Sequence, residues 1–80
     1  MANTTTTKQG KETRKKIYDF IKAYIQENQY PPTTREIGEG VGLSSTNTIY
    51  SQLHKLKEMG VITFLEAQPR TIRILTDLIE

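Results

Sequence analysis

Cysteine is absent from this chain of 80 residues, which excludes disulfide bonds and thiolate metal sites together. The single histidine, His54, cannot build a metal site unaided, so we expect neither a metal nor a cofactor. No apolar run approaches the roughly 20 residues that span a bilayer, and the first residues lack the apolar stretch of a secretory signal. We therefore expect a cytoplasmic protein without a membrane partner.

Residue patterns typical of catalysis are also missing. The sequence shows no nucleophile paired with a base, no cluster of convergent carboxylates and no glycine loop that cradles phosphates. We therefore expect that the chain is not an enzyme and has no small-molecule substrate.

Charge is distributed unevenly along the chain. The net charge of +2 is too small to indicate nucleic-acid binding by itself. Residues 1–16 hold five basic residues and one acidic residue, a net charge of +4, whereas the other 64 residues hold six basic and eight acidic residues, a net charge of −2. A basic arm on a near-neutral body either clamps phosphate or is a solvated tail, and charge alone leaves both interpretations open.

Periodicity divides the chain into an arm, one domain and a tail. Residues 1–11 are polar and aperiodic, which predicts a flexible basic arm, and residues 77–80 form a short C-terminal tail. A helical stripe predicts a first helix over residues 12–28; it consists of Ile17, Phe20, Ile21, Tyr24 and Asn28. The Pro31-Pro32 pair ends this helix, because proline lacks an N–H. Three tyrosines are interpreted as rings in the core or at its edge, namely Tyr18, Tyr24 and Tyr30.

Two more helices are predicted from their start and stop signals. Thr33 and Glu36 are spaced as a capping box that begins a second helix over residues 34–41. Gly38 in this helix allows another helix to come close, and Gly42 can end it in the left-handed conformation. Ser44 or Ser45 caps a third helix, which Gly60 ends. Its core stripe consists of Ile49, Leu53 and Leu56.

The pattern changes from helix to strand after Gly60. Residues 61–66 and 71–75 are β-prone runs, and the Gln68-Pro69-Arg70 loop between them predicts a hairpin. The order is helix, helix, helix, hairpin. The fold class is therefore mostly α with a small β-hairpin, a winged helix-turn-helix over residues 12–76.

The outward face of the third helix suits a reader of the DNA major groove. Opposite the core stripe it presents small polar groups that match the donors and acceptors of base edges, with Tyr50 the only large ring in its first half. For a single residue a helix cap or a solvated surface is the simpler interpretation, but the whole face favours DNA. His54 is interpreted as a surface residue or a phosphate contact. Arg70 and Arg73 are either hairpin-surface charges or, at a wing tip, groups for a narrow minor groove.

Several segments resemble the DNA-binding domain of the LexA family of SOS repressors. The similarity covers roughly residues 14–75 and is carried by Tyr30-Pro31-Pro32-Thr33-Thr34-Arg35-Glu36-Ile37-Gly38, the Gly42-Leu43 turn, Leu53-His54-Lys55-Leu56 and Pro69-Arg70-Thr71-Ile72-Arg73-Ile74. The resemblance implies that the third helix enters the major groove and that the wing approaches the adjacent minor groove. It implies a transcriptional repressor that binds double-stranded DNA and is associated with the nucleoid through that DNA. It also implies that two copies pair as a homodimer on a palindromic operator.

The same resemblance implies individual contacts. Base-reading positions are Ser45, Asn47, Thr48, Tyr50 and Ser51. Contacts to the DNA backbone or from the wing are expected at Arg14, Thr33, Arg35, Lys55, Gln68 and Arg70. The start of the first helix departs from the family pattern, which puts phosphate contacts there in doubt and leaves Arg14 as the best candidate.

Some alternatives stay open at this stage. The self-cleaving Ser-Lys peptidase domain of the family has no counterpart in the sequence, so both a fragment of a longer repressor and a complete small regulator are compatible with it. The alternative function is a winged-helix protein-protein interaction module, which would need an exposed apolar patch built from Tyr50 and Phe64 or Leu65. Recognition of RNA or left-handed duplex by shape would need more basic charge on the third helix.

Overall fold

The computed structural model describes the backbone of residues 2–79 and the side chains of residues 10–79. Three helices are followed by a two-stranded antiparallel hairpin: α1 (Ala2–Asn28), α2 (Thr34–Val41), α3 (Thr46–Glu58), β1 (Ile62–Thr63) and β2 (Arg73–Ile74). In the hairpin Ile62 lies opposite Ile74, and Thr63 lies opposite Arg73. The predicted winged helix-turn-helix fold is confirmed.

One hydrophobic core joins all three helices to the hairpin. The predicted helical stripes supply most of it, because their apolar residues converge on one side of each helix. Its fully buried members are Ile17, Ile21, Ile37, Ile49, Leu53, Leu56 and Ile62. No helix in the described part of the chain is both long and apolar enough to cross a membrane.

The first helix is longer than the sequence predicts. It begins at Ala2, whereas the stripe predicted a start at residue 12, so the backbone of the predicted flexible arm is helical over residues 2–11. Extending an existing helix fixes only one residue for each new hydrogen bond, and no proline interrupts the arm. The side chain of Lys8, counted in the basic arm, lies outside the described residues. The predicted end at Asn28 is confirmed, and Gln29 follows it in the left-handed conformation with φ 68°.

The connection between the helices follows the predicted caps. Thr33 Oγ1 accepts from Glu36 N at 3.1 Å and Glu36 Oε1 accepts from Thr33 N at 2.9 Å, a reciprocal capping box. Gly42 ends α2 with φ 77°, and its N–H donates to the carbonyl of Gly38. The following residue, Leu43, packs against the core. The angle between α2 and α3 is therefore set by local hydrogen bonds as well as by packing.

The hairpin strands are shorter than predicted. Residues 61–66 and 71–75 were expected as strands, but only two residues of each run pair as β-structure. Beyond Thr63, backbone groups that would hydrogen-bond to the other strand are instead hydrogen-bonded to side chains. Lys57 Nζ donates to the Phe64 carbonyl at 3.0 Å, and Leu65 N donates to Thr71 Oγ1 at 2.9 Å. Ala67 and Arg70 then bend the chain in the left-handed conformation, with φ 60° and 58°.

The expectation for the tyrosines needs correction at Tyr30. Tyr18 is buried, but Tyr30 is 46% exposed and lies outside the core, because its ring lies under the Arg70 guanidinium at 4.9 Å. The tail also returns to the domain: Leu78 packs against the core, and Tyr18 Oη donates to Asp77 Oδ1 at 3.4 Å. The end of the predicted tail, Glu80, lies outside the described residues.

Candidate nucleic-acid interface

The outward face of α3 is held at its start by a serine cap. Ser45 Oγ accepts from Thr48 N at 3.3 Å, so Ser45 is the cap that the sequence left open between two serines. All five predicted base-reading residues are exposed: Ser45, Asn47, Thr48, Tyr50 and Ser51. Ile49, Leu53 and Leu56 anchor the opposite side in the core. The small polar groups therefore lie on a helix whose opposite side is packed against the core.

The predicted contact residues lie mainly on two adjoining surfaces. The first is the shallow outward surface of α3, which includes Asn47, Tyr50, Ser51 and Lys55. The second is a groove of about 270 Å³ between the first turn of α2 and the wing loop, residues 65–71, and we call it the wing groove. Its lining includes Thr33, Arg35, Tyr50, Gln68 and Arg70. Tyr50 belongs to both surfaces, so a double helix lying along α3 would meet the wing groove as well.

Arg14 lies apart from these two surfaces. It is on α1, and its Nη1 donates to Gln52 Oε1 on α3 at 3.0 Å. This hydrogen bond links α1 to α3 through a partner, Gln52, that the sequence did not indicate. The Arg14 side chain is partly exposed.

The cations around the two surfaces differ in how strongly the protein already holds them. Arg35 is exposed on the first turn of α2 and makes no hydrogen bond or ion pair within the described part of the chain. Lys55 forms an ion pair with Glu58 Oε1 at 3.5 Å, one helical turn away and half-exposed to solvent. A surface pair of this kind is weak and is readily exchanged for another anion. Arg35 and Lys55 are therefore available to phosphate.

Arg70 is held within the protein. Its Nη1 and Nη2 donate to Glu36 Oε1 and Oε2 at 3.0 and 2.9 Å, a bidentate pair between the wing loop and α2. Nη1 also donates to the Pro31 carbonyl at 3.1 Å and lies 3.4 Å from Tyr24 Oη. The sequence leaves Arg70 as either a hairpin-surface charge or a wing-tip group for the minor groove, and it does not indicate this pair with Glu36. Contact between Arg70 and DNA stays a prediction, and such a contact would have to compete with these bonds within the protein.

The electrostatics of this cluster follow from the same contacts. The hydrogen bonds from Arg70 and then from the backbone of Thr33 lower the pKa of Glu36 from its ordinary 4.5 to about 2. Glu36 in turn raises the pKa of Arg70. For Tyr24 the Arg70 hydrogen bond lowers the pKa, but partial burial, Glu36 and Tyr30 together outweigh it and raise the pKa overall. The charged forms of Glu36 and Arg70 are therefore both favoured.

His54 also links α3 to the wing, by contacts that the sequence does not indicate. His54 Nε2 lies 3.5 Å from Glu66 Oε2, and the His54 ring meets the Phe64 ring edge-on at 5.4 Å. Phe64 itself is only 6% exposed, so of the apolar patch considered above only Tyr50 and Leu65 remain at the surface. His54 stood on the predicted outward face, but its partner could not be found, because the path of residues 64–67 depends on the shortened hairpin.

Comparison with known proteins identifies the family of this chain. The family model described as LexA DNA binding domain matches residues 7–71. The chain is 51% identical over 61 residues to a LexA repressor of Clostridium novyi and 49% identical over 61 residues to one of Bacillus mycoides. A LexA repressor of Staphylococcus aureus is 46% identical over 61 residues. Each match covers 76% of this chain and 30% of the relative. The chain spans less than a third of the length of these relatives, and it belongs to the LexA DNA-binding domain family.

Proposed function

We propose that this chain binds double-stranded DNA in a sequence-specific manner and represses transcription by occupying an operator. The observation that carries the proposal is the outward face of α3, where Asn47, Thr48 and Ser51 stand exposed on a capped helix anchored in the core. The relatives are repressors by name, and the part of them that this chain matches is the DNA-binding domain. By analogy with them, the genes it controls would belong to an SOS response.

The small polar groups of α3 match what the major groove presents. An asparagine such as Asn47 pairs in bidentate fashion with the N6 and N7 edge of adenine. Hydroxyls such as those of Thr48 and Ser51 accept or donate at either base pair, and methyl groups suit thymine. Ser45, the helix cap, and Tyr50, which is shared with the wing groove, complete the proposed base-reading set. The amide side chain of Asn47 gives it the greatest power to discriminate between bases.

The remaining contacts would bind the sugar-phosphate backbone. Arg35 and Lys55 border α3 with cations available to phosphate, while Thr33 and Gln68 lie in the wing groove. Arg14 would reach phosphate from α1, and the basic residues of the N-terminal segment would add affinity without sequence preference. In this arrangement α3 lies in the major groove and the wing approaches the adjacent minor groove.

Selection of preferred duplexes from a random pool tests the proposal. We expect one sequence to be enriched, with an affinity at least about a hundredfold above that for random DNA. A winged-helix protein-protein interaction module would enrich no sequence and would bind all duplexes only weakly. Phe64 is buried, so of the apolar residues that this alternative would need only Tyr50 and Leu65 are exposed.

We also propose that two copies of the chain occupy two half-sites of a palindromic operator and pair only there. The free chain should be a monomer at micromolar concentration, because Leu78 is used on the core and only Leu75 and Ile79 remain as exposed apolar groups of the tail. Sedimentation of the free chain and of its complexes with one and two half-sites measures this. A stable dimer without DNA that is lost on truncation after Leu75 would instead assign dimerisation to the tail.

A further inference from the structure

Arg70 ties the wing loop to the start of α2. Its guanidinium bridges four groups from three parts of the chain: the Glu36 carboxylate on α2, the Pro31 carbonyl in the turn, and the Tyr24 hydroxyl and Tyr30 ring near the end of α1. We call Arg70 and Glu36 together the wing clasp. Its members come from positions 34 residues apart, so it fixes the wing to the helix-turn-helix rather than to its own hairpin.

Glu36 has two tasks in this arrangement. The same oxygen, Oε1, accepts from the backbone of Thr33 and from Nη1 of Arg70, at 2.9 and 3.0 Å. The capping box thereby orients the carboxylate independently of its bonds to Arg70. A bidentate pair onto a carboxylate that is already oriented loses little side-chain freedom, so it is stronger than an ordinary surface ion pair.

The backbone of the wing loop requires such a tie. Arg70 has φ 58°, a left-handed conformation that an L-residue with a long side chain rarely adopts. A conformation of this kind persists only where the surroundings determine it. Within the loop, the Thr71 hydroxyl accepts from Leu65 N and donates to the Gln68 carbonyl, which closes the loop on itself. The wing clasp supplies the contacts on the α2 side.

We propose that Arg70 is a positioning residue for DNA binding, which acts through Glu36 and does not bind phosphate itself. The clasp sets the wing loop at a fixed distance from α3, so that Gln68 and the residues of α3 meet one duplex together. This inference rests on the proposed DNA-binding function. It reverses what the resemblance alone implies for Arg70, and it gives an acidic residue, Glu36, a favourable role beside the DNA-binding surface.

The sign of the Glu36 effect separates the two roles of Arg70. Glu36→Gln removes a negative charge that is paired with Arg70 of the wing groove, and glutamine still serves at this position of a capping box. If Arg70 were a phosphate ligand, freeing it in this variant would strengthen binding. The positioning role predicts the opposite, a loss of about three- to tenfold in affinity for the selected operator. Glu39→Gln, the same change on an exposed residue of α2, is the matched control and should leave operator affinity unchanged.

Salt dependence and a double variant complete the test on DNA. Arg70→Gln should lose affinity by a similar factor with no change in the log-log salt slope, whereas removal of a phosphate contact lowers that slope by about 0.9. Arg70→Lys, which keeps the charge but cannot form the bidentate pair, should resemble Arg70→Gln. The Glu36→Gln, Arg70→Gln double variant should be no weaker than the weaker single variant. Any one of three results would overturn the proposal: a reduced salt slope in Arg70→Gln, wild-type operator affinity in Arg70→Lys, or higher operator affinity in Glu36→Gln.

The clasp can also be tested without DNA, so that its failure is distinguishable from failure of the proposed function. In the free 80-residue chain, ¹⁵N relaxation measures the ordering of the loop over residues 65–71. We expect the heteronuclear NOE of these amides to fall in both Glu36→Gln and Arg70→Gln, while the amides of α3 keep their wild-type values. Unchanged loop values in both variants would contradict the positioning role, whatever the DNA measurements give.

Discussion

Gly38 lies against Ile49 at the point where α2 crosses α3. A β-carbon built on Gly38 would be 2.9 Å from Ile49 Cδ1 and 2.9 Å from the backbone carbonyl oxygen of Leu43. Both distances are shorter than real β-carbon contacts, and the carbonyl belongs to the turn and cannot swing aside as a side-chain tip can. The glycine, which weakens α2 as an isolated helix, is therefore what lets the two helices pack closely.

This relationship predicts the effect of Gly38→Ala. Alanine should improve helix propensity by about 1 kcal/mol, but crowding against Ile49 and Leu43 should outweigh the gain and lower the free energy of unfolding by a net 1–3 kcal/mol or so. Thermal unfolding followed by circular dichroism measures this. Glu39→Ala, on an exposed neighbouring position, is the control and should not lower the melting temperature. A higher melting temperature for Gly38→Ala would show that the close approach is not present in solution.

The lowered pKa of Glu36 predicts a specific dependence of stability on pH. A carboxylate whose pKa falls from 4.5 unfolded to about 2 folded stabilises the protein above pH 4.5, and this contribution disappears as the pH falls toward 2. Glu36→Gln should therefore be less stable than the wild type at pH 6, with the difference closing between pH 4.5 and 2. Melting temperatures of the two proteins across this range measure the gap. A gap that stays constant down to pH 2 would mean that the carboxylate charge does not contribute.

Glu66 places a negative charge beside the outward face of α3, through its pair with His54 at 3.5 Å. Removing this charge in Glu66→Gln should raise the affinity for random duplex by about two- to threefold at low salt, because repulsion from phosphate is relieved. Fluorescence anisotropy with a labelled random duplex measures the change. Glu27→Gln removes an equal charge from α1, outside both surfaces, and should have a smaller effect. Equal gains in the two variants would indicate a net-charge effect rather than a local one.

The sequence predicts the fold well wherever one local signal determines the structure. The capping box of Thr33, the left-handed end at Gly42 and the core stripe from Ile49 to Leu56 each depend on residues a few positions apart, and each is confirmed. The start of α1 was missed because the polar arm has no stripe, although nothing in it stops a helix from propagating.

The side-chain partners of the wing could not be predicted from local signals. Arg70 reaches across 34 residues to Glu36, and His54 meets Glu66 only because the hairpin ends early. Both contacts depend on the path of a loop with two left-handed residues that are not glycine, Ala67 and Arg70, and sequence patterns do not indicate such residues. The outward face of α3 was easier to predict, because it is simply the side of a helix that the core stripe leaves exposed.

The most direct test of sequence-specific binding by α3 is the affinity of Asn47→Ala for two duplexes, the selected operator and a scrambled sequence of the same composition. The account predicts a loss of roughly fivefold to 150-fold on the operator, equivalent to about 1–3 kcal/mol, and little change on the scrambled duplex. The melting temperature should stay at the wild-type value, since Asn47 is exposed and Ser45 provides the cap. An equal loss on both duplexes, or none on either, would contradict base reading by this face of α3.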